Sequence, residues 1–222
     1  MKIQALIFDL DGTLIDSIED LADCMNTVLT RLGVAPHPLQ KYREFVGDGL
    51  KKLVERCLAQ SRPELFEQAV QHMRTEYAQN WMRKTRLYPG MAELLDEIKR
   101  RNLPMAVLSN KPHDMTRLVC AHFLQRWPIA CAQGASDQFP HKPDPSSAMH
   151  IAVLLHCKPA SMMFLGDTDV DMQTACAAGM VPVGVSWGFR PRSELLAHGA
   201  RYIIDHPGEL PALLEKLNRP EA

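Results

Sequence analysis

The chain has 222 residues, with 25 Lys and Arg against 26 Asp and Glu, so its formal charge at neutral pH is −1. This balance argues against a protein that binds nucleic acid through a basic surface. Because 46% of the residues are apolar and 23% are charged, the composition is that of a folded globular protein rather than a disordered or fibrous one. The length allows one domain with a smaller domain inserted into it.

The sequence also limits where the protein is expected to reside. The apolar run at Leu154 and Leu155 meets His156 and Lys158 well before the roughly 20 apolar residues that a membrane helix needs. Near the amino terminus, carboxylates arrive too early for the apolar region of a signal peptide. We therefore expect a soluble, cytoplasmic protein with no membrane partner. The six cysteines form no C-x-x-C pair and are interpreted as reduced core thiols: Cys24, Cys57, Cys120, Cys131, Cys157 and Cys176.

Short apolar runs bounded by polar, Gly or Pro residues recur along the chain, as is typical of strands buried on both faces. They cover residues 3–10, 104–108, 162–165, 181–185 and 202–204. Helical patterns lie between the later runs. Strands that alternate with helices predict an α/β fold, here a Rossmann-like core with a parallel sheet between two helical layers.

One stretch interrupts this alternation. Residues 16–84 contain apolar stripes at helical spacing, over 18–32, 50–58 and 65–77, but no convincing strand. The first stripe stops at Gly33, a residue suited to a helix end. We interpret residues 16–84 as a small helical domain inserted into a core domain made of residues 1–15 and 85–222.

The strongest local signal is a pair of carboxylates directly after the first apolar run. Asp9 and Asp11 are two residues apart, so in an extended strand they point the same way, toward the edge where open α/β sheets bind ligands. Gly12 would allow a sharp exit from the strand. Like charges held together need a cation or a proton between them, and Mg²⁺ is the natural partner of such oxygens.

A second acidic group follows the apolar run at 162–165. It offers Asp167, Asp169 and Asp171, and a helix that began here would place Asp167 and Asp171 on one face. Asp167 is then the expected direct metal ligand and Asp171 a supporting one, whereas Asp169 is an acidic residue of a helix start. Either acidic group alone fits a helix cap or turn as well as a metal site, but two at strand ends favour the metal.

Residues suited to binding an anion follow another predicted strand and a loop. Ser109 and Asn110 come after the run at 104–108, and Lys142 lies in the sequence HKPDP. A hydroxyl and backbone amides near a helix start commonly bind phosphate, and Lys supplies a mobile positive charge. Taken singly, a Ser such as Ser109 is usually a helix cap and a Lys such as Lys142 is usually a solvated charge; their position relative to the two acidic groups is what favours an anion site.

These motifs together resemble those of the haloacid dehalogenase superfamily. The resemblance rests on the sequence D-x-D-G-T at 9–13, on Ser109, on Lys142 and on G-D-x-x-x-D at 166–171. The helical insertion lies where subclass I members carry a cap domain. Within the superfamily the chain is most similar to phosphoglycolate phosphatases, through LDGTLIDS, FVGDGLKKLV, LYPGM, SNKP, KPDP, GDTDVDM and SWGF. Ser109 stands where Thr is common, and SWGF where T-Y-G-Y is common.

The resemblance implies a chemistry for each motif. Asp9 would attack the phosphorus of a phosphate monoester and form an aspartyl-phosphate. Asp11 would protonate the leaving group and later activate water. Mg²⁺ would be held by Asp9, by the backbone carbonyl of Asp11 and by Asp167, with Asp171 in support.

The remaining implied roles concern the substrate. Ser109 and Lys142 would bind the other phosphoryl oxygens, together with backbone amides near Asp11 and Gly12. Asn110 is a further candidate for contact with the substrate.

Specificity is expected to come from the cap. Gly47 and Gly49 flank Asp48 at a helix start and are candidates for contact with the leaving group, although an ordinary turn also explains them. Arg43 is a candidate partner for a substrate carboxylate, with a solvated charge as its alternative. His113 and Trp187 are interpreted as packing or surface residues.

The sequence thus predicts a Mg²⁺-dependent phosphatase for a small phosphomonoester, with 2-phosphoglycolate as the favoured substrate and a place in carbohydrate metabolism. A sugar-phosphate phosphatase, an inorganic pyrophosphatase and a phosphomutase remain alternatives with the same chemistry. A regulatory module that has lost turnover is a third hypothesis, disfavoured because every catalytic position holds a competent side chain. A monomer and a homodimer are both open.

Overall fold

The computed structural model describes residues 2–58 and 62–219. Its centre is a parallel sheet of six strands in the order β5-β4-β1-β6-β7-β8. These strands are β1 (Ala5–Phe8), β4 (Met105–Pro112), β5 (Ile129–Ala135), β6 (Met162–Gly166), β7 (Val181–Val185) and β8 (Tyr202–Ile204). The predicted α/β fold with a parallel sheet is confirmed.

Helices cover both faces of the sheet, because alternate residues of each strand point to opposite sides. In β1, Leu6 and Phe8 belong to one apolar cluster and Ala5 and Ile7 to another. The first cluster includes residues of α5 (Met91–Arg100), α6 (His113–Phe123) and α10 (Leu210–Asn218). The second includes residues of α7 (Ser146–Leu154) and α8 (Asp169–Ala177). A shorter helix, α9 (Arg192–Ala197), packs against α8 and β7.

Two strands of the sheet differ from the sequence prediction. β5 has no counterpart among the predicted runs, because its sequence IACAQGA has only one large apolar residue, Ile129, and an edge strand is only partly buried. β4 runs four residues past Leu108, so that Ser109, Asn110 and Lys111 lie within the strand rather than after it. Helix α6 accordingly begins at His113.

The segment between β1 and α5 is helical, as predicted. It enters through β2 (Ile15–Asp16) and returns through β3 (Arg86–Leu87), and these two short strands pair antiparallel. Between them lie α1 (Ile18–Arg31), α2 (Leu39–Phe45), α3 (Leu50–Leu58) and α4 (Phe66–Asn80). Helix α1 packs against α2 and α4, and α3 packs against α4. The division into a core of 1–15 and 85–222 and a cap of 16–84 stays a prediction. Within the described residues, no helix combines the length and apolarity needed to cross a membrane.

One buried carboxylate links the start and the end of this helical segment through hydrogen bonds. Asp20, in the first turn of α1, is 2% exposed. It accepts hydrogen bonds from the backbone N–H groups of Lys84 and Thr85, at 3.0 and 2.9 Å, and from the Thr85 hydroxyl at 2.7 Å. Because Thr85 is buried, Asp20 supplies its two donors with hydrogen bonds that solvent does not replace.

We predict that Asp20→Ala lowers the free energy of unfolding by about 3 kcal/mol, because it leaves buried donors without an acceptor. Asp23→Ala is the matched control, since Asp23 lies on the same helix, is exposed, and its carboxylate forms a surface ion pair with Lys84 at 2.8 Å. The control is expected to change stability by less than about 1 kcal/mol. Urea unfolding of both variants measures the difference, and equal losses would contradict this role of Asp20.

Candidate active site

The predicted site residues meet at the carboxyl ends of three neighbouring strands. Asp9 directly follows β1, Ser109 lies in the last part of β4, and Asp167 directly follows β6. In the sheet β1 lies between β4 and β6, which brings these three ends side by side. This is the edge at which open parallel sheets place their ligands.

Three buried carboxylates form the centre of the site. Asp9, Asp167 and Asp171 each offer an oxygen, and these oxygens lie within 4.8 Å of one another. Burial raises the pKa of Asp9 to about 7; the ammonium of Lys142 opposes this rise and the charge of Asp171 adds to it. Burial, followed by the charges of Asp9 and Asp171, also raises the pKa of Asp167 well above its ordinary value. The cluster therefore holds more negative charge than it can stabilise by itself.

Lys142 is the positive charge within this cluster. Its Nζ donates to Asp9 Oδ1 at 2.8 Å, to Asp171 Oδ1 at 2.6 Å and to the carbonyl of Leu108 at 3.2 Å. Burial alone would lower the pKa of Lys142, but the carboxylates of Asp171 and Asp9 outweigh it and raise that pKa. One ammonium faces three carboxylates, so a divalent cation would fit the remaining charge.

Asp171 belongs to the acidic cluster, whereas Asp169 does not. Helix α8 begins at Asp169, and Asp171 caps it by accepting hydrogen bonds from the backbone N–H and hydroxyl of Thr168, at 3.0 and 2.7 Å. Asp169 lies outside the cluster and accepts from Gln173 at 3.2 Å. The expectation that Asp167 and Asp171 share a helix face is wrong, because Asp167 precedes the helix. The two carboxylates meet through the turn at Thr168 instead.

Asp167 sits in a close-fitting cradle. Its carboxylate accepts from the hydroxyl of Thr13 at 2.9 Å and from the backbone N–H of Phe189 at 2.8 Å. Gly12 and Gly188 pack against it so closely that a Cβ at either position would overlap with Asp167. Gly12 also has φ +91°, a conformation that favours glycine. Sequence reasoning did not assign Gly188 and Phe189 to the site, although they lie in the SWGF segment.

Asp11 is held by partners that the sequence did not indicate. Its two carboxylate oxygens lie 2.8 and 2.7 Å from Lys111 Nζ, and Oδ1 accepts from the Ser17 hydroxyl at 2.6 Å. Lys111 also donates to the hydroxyl of Tyr77, on α4, at 2.9 Å. Burial would lower the pKa of Lys111, but the charge of Asp11 outweighs it and raises that pKa. One signal was available, since Lys111 is two residues beyond Ser109 in the same strand and so shares its side of the chain.

A narrow cavity of about 70 Å³ opens beside these groups, with polar and apolar walls. The polar wall comes from residues that the sequence singled out and from Lys111: Asp9, Asp11, Ser109, Asn110 and Lys111. Helices α1, α3 and α4 and the loop before α3 supply most of the opposite wall: Leu21, Val46, Gly47, Gly49, Leu50, Leu53 and Tyr77. Pro112 and Phe189 complete the lining.

The amides expected to bind an anion are partly committed to other contacts. Asn110 Nδ2 donates to the carbonyls of Gly47 and Lys142, at 3.0 and 3.2 Å, and its Oδ1 accepts from the Lys142 N–H at 2.7 Å. Asn110 therefore links the loop at 47 to the loop at 142. The N–H of Gly12 donates to the carbonyl of Ile15 at 2.9 Å, so this amide is already satisfied.

Arg43 does not reach the cavity. It is exposed, is absent from the cavity lining, and donates from Nη1 to the carbonyl of Gly188 at 2.9 Å. Trp187 and His113 have structural contacts, as predicted: Trp187 Nε1 donates to the carbonyl of Thr13 at 3.0 Å, and His113 Nδ1 accepts from the Gly134 N–H at 3.2 Å. All six cysteines are free thiols, of which Cys176 is exposed.

Comparison with known proteins places the chain in a family. The family model of the haloacid dehalogenase-like hydrolases matches residues 6–185 of this chain. A phosphoglycolate phosphatase of Psychrobacter arcticus is 34% identical, over 85% of this chain and 86% of its own length. The phosphoglycolate phosphatase of Neisseria meningitidis is also 34% identical, over 97% of this chain and 94% of its own. A crystal structure from Lactobacillus delbrueckii subsp. bulgaricus has a TM-score of 0.91 and 26% identity, covering 96% of this chain and 99% of that chain.

The chain belongs to the family of haloacid dehalogenase-like hydrolases, since the family match spans most of its length. Within that family it is similar to the phosphoglycolate phosphatases, and it is an enzyme of the phosphatase class.

We predict that Gly188→Ala lowers the free energy of unfolding by about 2 kcal/mol, because the added methyl group displaces Asp167 from its cradle. Gly208→Ala is the control, because Gly208 is exposed and its Cβ would approach only the flexible ring of His206, at 3.2 Å. The control is expected to stay within about 0.5 kcal/mol of the wild type. Urea unfolding decides between the two outcomes, and an unchanged midpoint for Gly188→Ala would refute the packing argument.

Proposed function

We propose that the protein is a Mg²⁺-dependent phosphomonoester hydrolase that acts through an aspartyl-phosphate on a small phosphorylated metabolite, above all 2-phosphoglycolate. The observation that carries this proposal is the position of Asp9, which belongs to the buried acidic cluster and also lines the cavity. The names of the similar enzymes support the choice of substrate. A cytoplasmic location and the choice between monomer and homodimer stay predictions.

The residues present fit a magnesium ion. Oxygen atoms are the ligands that Mg²⁺ prefers, and Asp9, Asp167 and Asp171 offer carboxylate oxygens within 4.8 Å of one another. We propose Asp9, Asp167 and the backbone carbonyl of Asp11 as its ligands. Asp171 supports them through Thr168 and Lys142. When bound, the ion would neutralise charge on the transferring phosphoryl group.

In the proposed reaction, an oxygen of the Asp9 carboxylate forms a bond to phosphorus while the bond from phosphorus to the leaving oxygen breaks. Asp11 donates a proton to that leaving oxygen. Water then attacks the phosphorus of the aspartyl-phosphate and gives a proton to Asp11, while the bond between phosphorus and the Asp9 oxygen breaks. Inorganic phosphate departs, and Asp9 returns to its starting form.

Ser109 and Lys142 are proposed to bind the phosphoryl oxygens that do not react. Ser109 lines the cavity beside Asp9, and its hydroxyl oxygen accepts a hydrogen bond from the backbone N–H of Lys111 at 3.2 Å. The hydroxyl proton of Ser109 is therefore available to donate to an anion. Lys142 already contacts Asp9 at 2.8 Å, so an ester that reaches Asp9 also comes close to this ammonium. Residues 16–84 are proposed to act as a cap that covers the substrate and excludes water.

We predict that Asp9→Asn lowers kcat for phosphate release from 2-phosphoglycolate by on the order of 10³-fold or more, because an amide cannot act as this nucleophile. Steady-state assays with Mg²⁺ measure the loss, and the thermal midpoint checks that the variant folds. Undiminished turnover would refute the covalent route. In the same assays, the wild type could show a kcat/KM for a sugar phosphate or pyrophosphate far higher than its kcat/KM for 2-phosphoglycolate. That result would overturn only the choice of substrate and would leave the covalent route standing.

We predict that Mg²⁺ stabilises the EDTA-treated wild type by about 2.7 kcal/mol at a free concentration one hundred times its dissociation constant. Asp167→Asn should lose this stabilisation, because it removes a charged ligand. Asp169→Asn should keep it, since Asp169 lies two residues away and outside the cluster. Thermal unfolding against Mg²⁺ concentration is the measurement, and it needs no substrate. A full response in Asp167→Asn would exclude Asp167 as a ligand.

A further inference from the structure

Lys111 is a buried charge that the proposed reaction does not use. It lies near the end of β4, and its side chain is 6% exposed. Its ammonium contacts three oxygen atoms: both carboxylate oxygens of Asp11, at 2.8 and 2.7 Å, and the hydroxyl of Tyr77 at 2.9 Å. The contacts with Asp11 Oδ1 and with Tyr77 are hydrogen bonds, and the contact with Asp11 Oδ2 is an ion pair, so a new anion at this ammonium would compete with Asp11 for it.

The position of Lys111 gives it access to the substrate. Among the described residues that line the cavity, Lys111 carries the only positive charge. The wall next to it is largely apolar, through Leu21, Leu50 and Leu53. A negative group on the part of the substrate that leaves would lose its water there, which is unfavourable unless it meets a cation. Lys111 supplies a cation in that wall, whereas Arg43 is not part of the cavity lining and donates to the carbonyl of Gly188.

The contact with Asp11 ties recognition to the proton transfer. Asp11 must turn toward the leaving oxygen to protonate it, but both of its oxygens are held by Lys111 and one also by Ser17. A substrate carboxylate can take over a donor of Lys111 and so release one oxygen of Asp11. A neutral leaving group has no charge with which to compete for the ammonium.

We propose that Lys111 is the specificity residue of this phosphatase. Its ammonium binds a carboxylate on the leaving group, and this carboxylate replaces Asp11 as its partner. This inference rests on the proposed function. It explains how the site would select a phosphomonoester whose leaving group bears a carboxylate close to the ester oxygen. Tyr77, which comes from the predicted cap, holds the ammonium in place for the exchange.

The test compares two esters that differ only at the proposed contact: 2-phosphoglycolate, with a carboxylate, and 2-hydroxyethyl phosphate, with a neutral CH₂OH group. The wild type should favour 2-phosphoglycolate in kcat/KM by about tenfold to hundredfold, the range of a charge-assisted hydrogen bond. Lys111→Met should bring this ratio close to one, through a rise in KM and a fall in kcat for 2-phosphoglycolate. Lys111→Arg should keep most of the preference.

Lys51→Met is the matched control, because Lys51 is an exposed cation on α3 outside the cavity lining. It should leave the ratio of the two kcat/KM values unchanged. This control distinguishes direct contact with Lys111 from the long-range effect of any positive charge near the site. If Lys111→Met loses activity equally on both esters, Lys111 only positions Asp11 and the proposal is overturned. A wild-type ratio near one overturns it as well, while the phosphatase assignment stands. If neither ester is hydrolysed, the choice of 2-phosphoglycolate as substrate and the role of Lys111 are both overturned.

A measurement on the wild type alone covers the case in which Lys111→Met does not fold. Glycolate should inhibit the hydrolysis of 2-hydroxyethyl phosphate competitively, and ethylene glycol should do so at least about tenfold more weakly. Equal inhibition by the two compounds would contradict a carboxylate site at Lys111.

Discussion

The site depends on one electrostatic constraint, the crowding of three carboxylates around a single buried ammonium. When ionised, the buried carboxylates of Asp9, Asp167 and Asp171 repel one another, and Lys142, which contacts Asp9 and Asp171, offsets only part of that repulsion. The fold keeps them together because they follow β1 and β6 or begin α8, and these elements are fixed by the apolar core on both faces of the sheet. The excess charge is what suits the cluster to a divalent cation, and holding it without one is unfavourable for stability.

The same sheet edge presents a second group of opposite charges, Asp11 with Lys111, to which we assign a different role. Lys142 belongs to the acidic cluster, where the phosphoryl group would react, and Lys111 lies in the cavity wall. Asp9 and Asp11, two residues apart, each contact one of these lysines. The phosphoryl group and the leaving group would therefore meet separate cations, which are supplied by different parts of the chain.

The sequence predicted most of the fold because buried parallel strands are marked by continuous apolar runs. β1, β6 and β7 are of this kind, with every residue buried. Edge strand β5 has small and polar residues and gave no such run, and the seven-residue helix α2 buries only Tyr42. The two-residue strands β2 and β3 exist only through their pairing, and no local pattern marks a strand that short.

For the site, the sequence by itself determined the residues that lie at or just beyond the carboxyl ends of strands: Asp9, Asp11, Ser109 and Asp167. Their position is set by local order along the chain, since parallel strands bring their carboxyl ends to one edge. Tertiary structure alone decided the partners. Tyr77 reaches Lys111 from a helix 34 residues away, and Phe189 reaches Asp167 across 22 residues. Arg43 turns to the carbonyl of Gly188 rather than to the cavity. These contacts depend on how separate elements pack. The pattern of residues within one element does not indicate which side chains of other elements will pack against it.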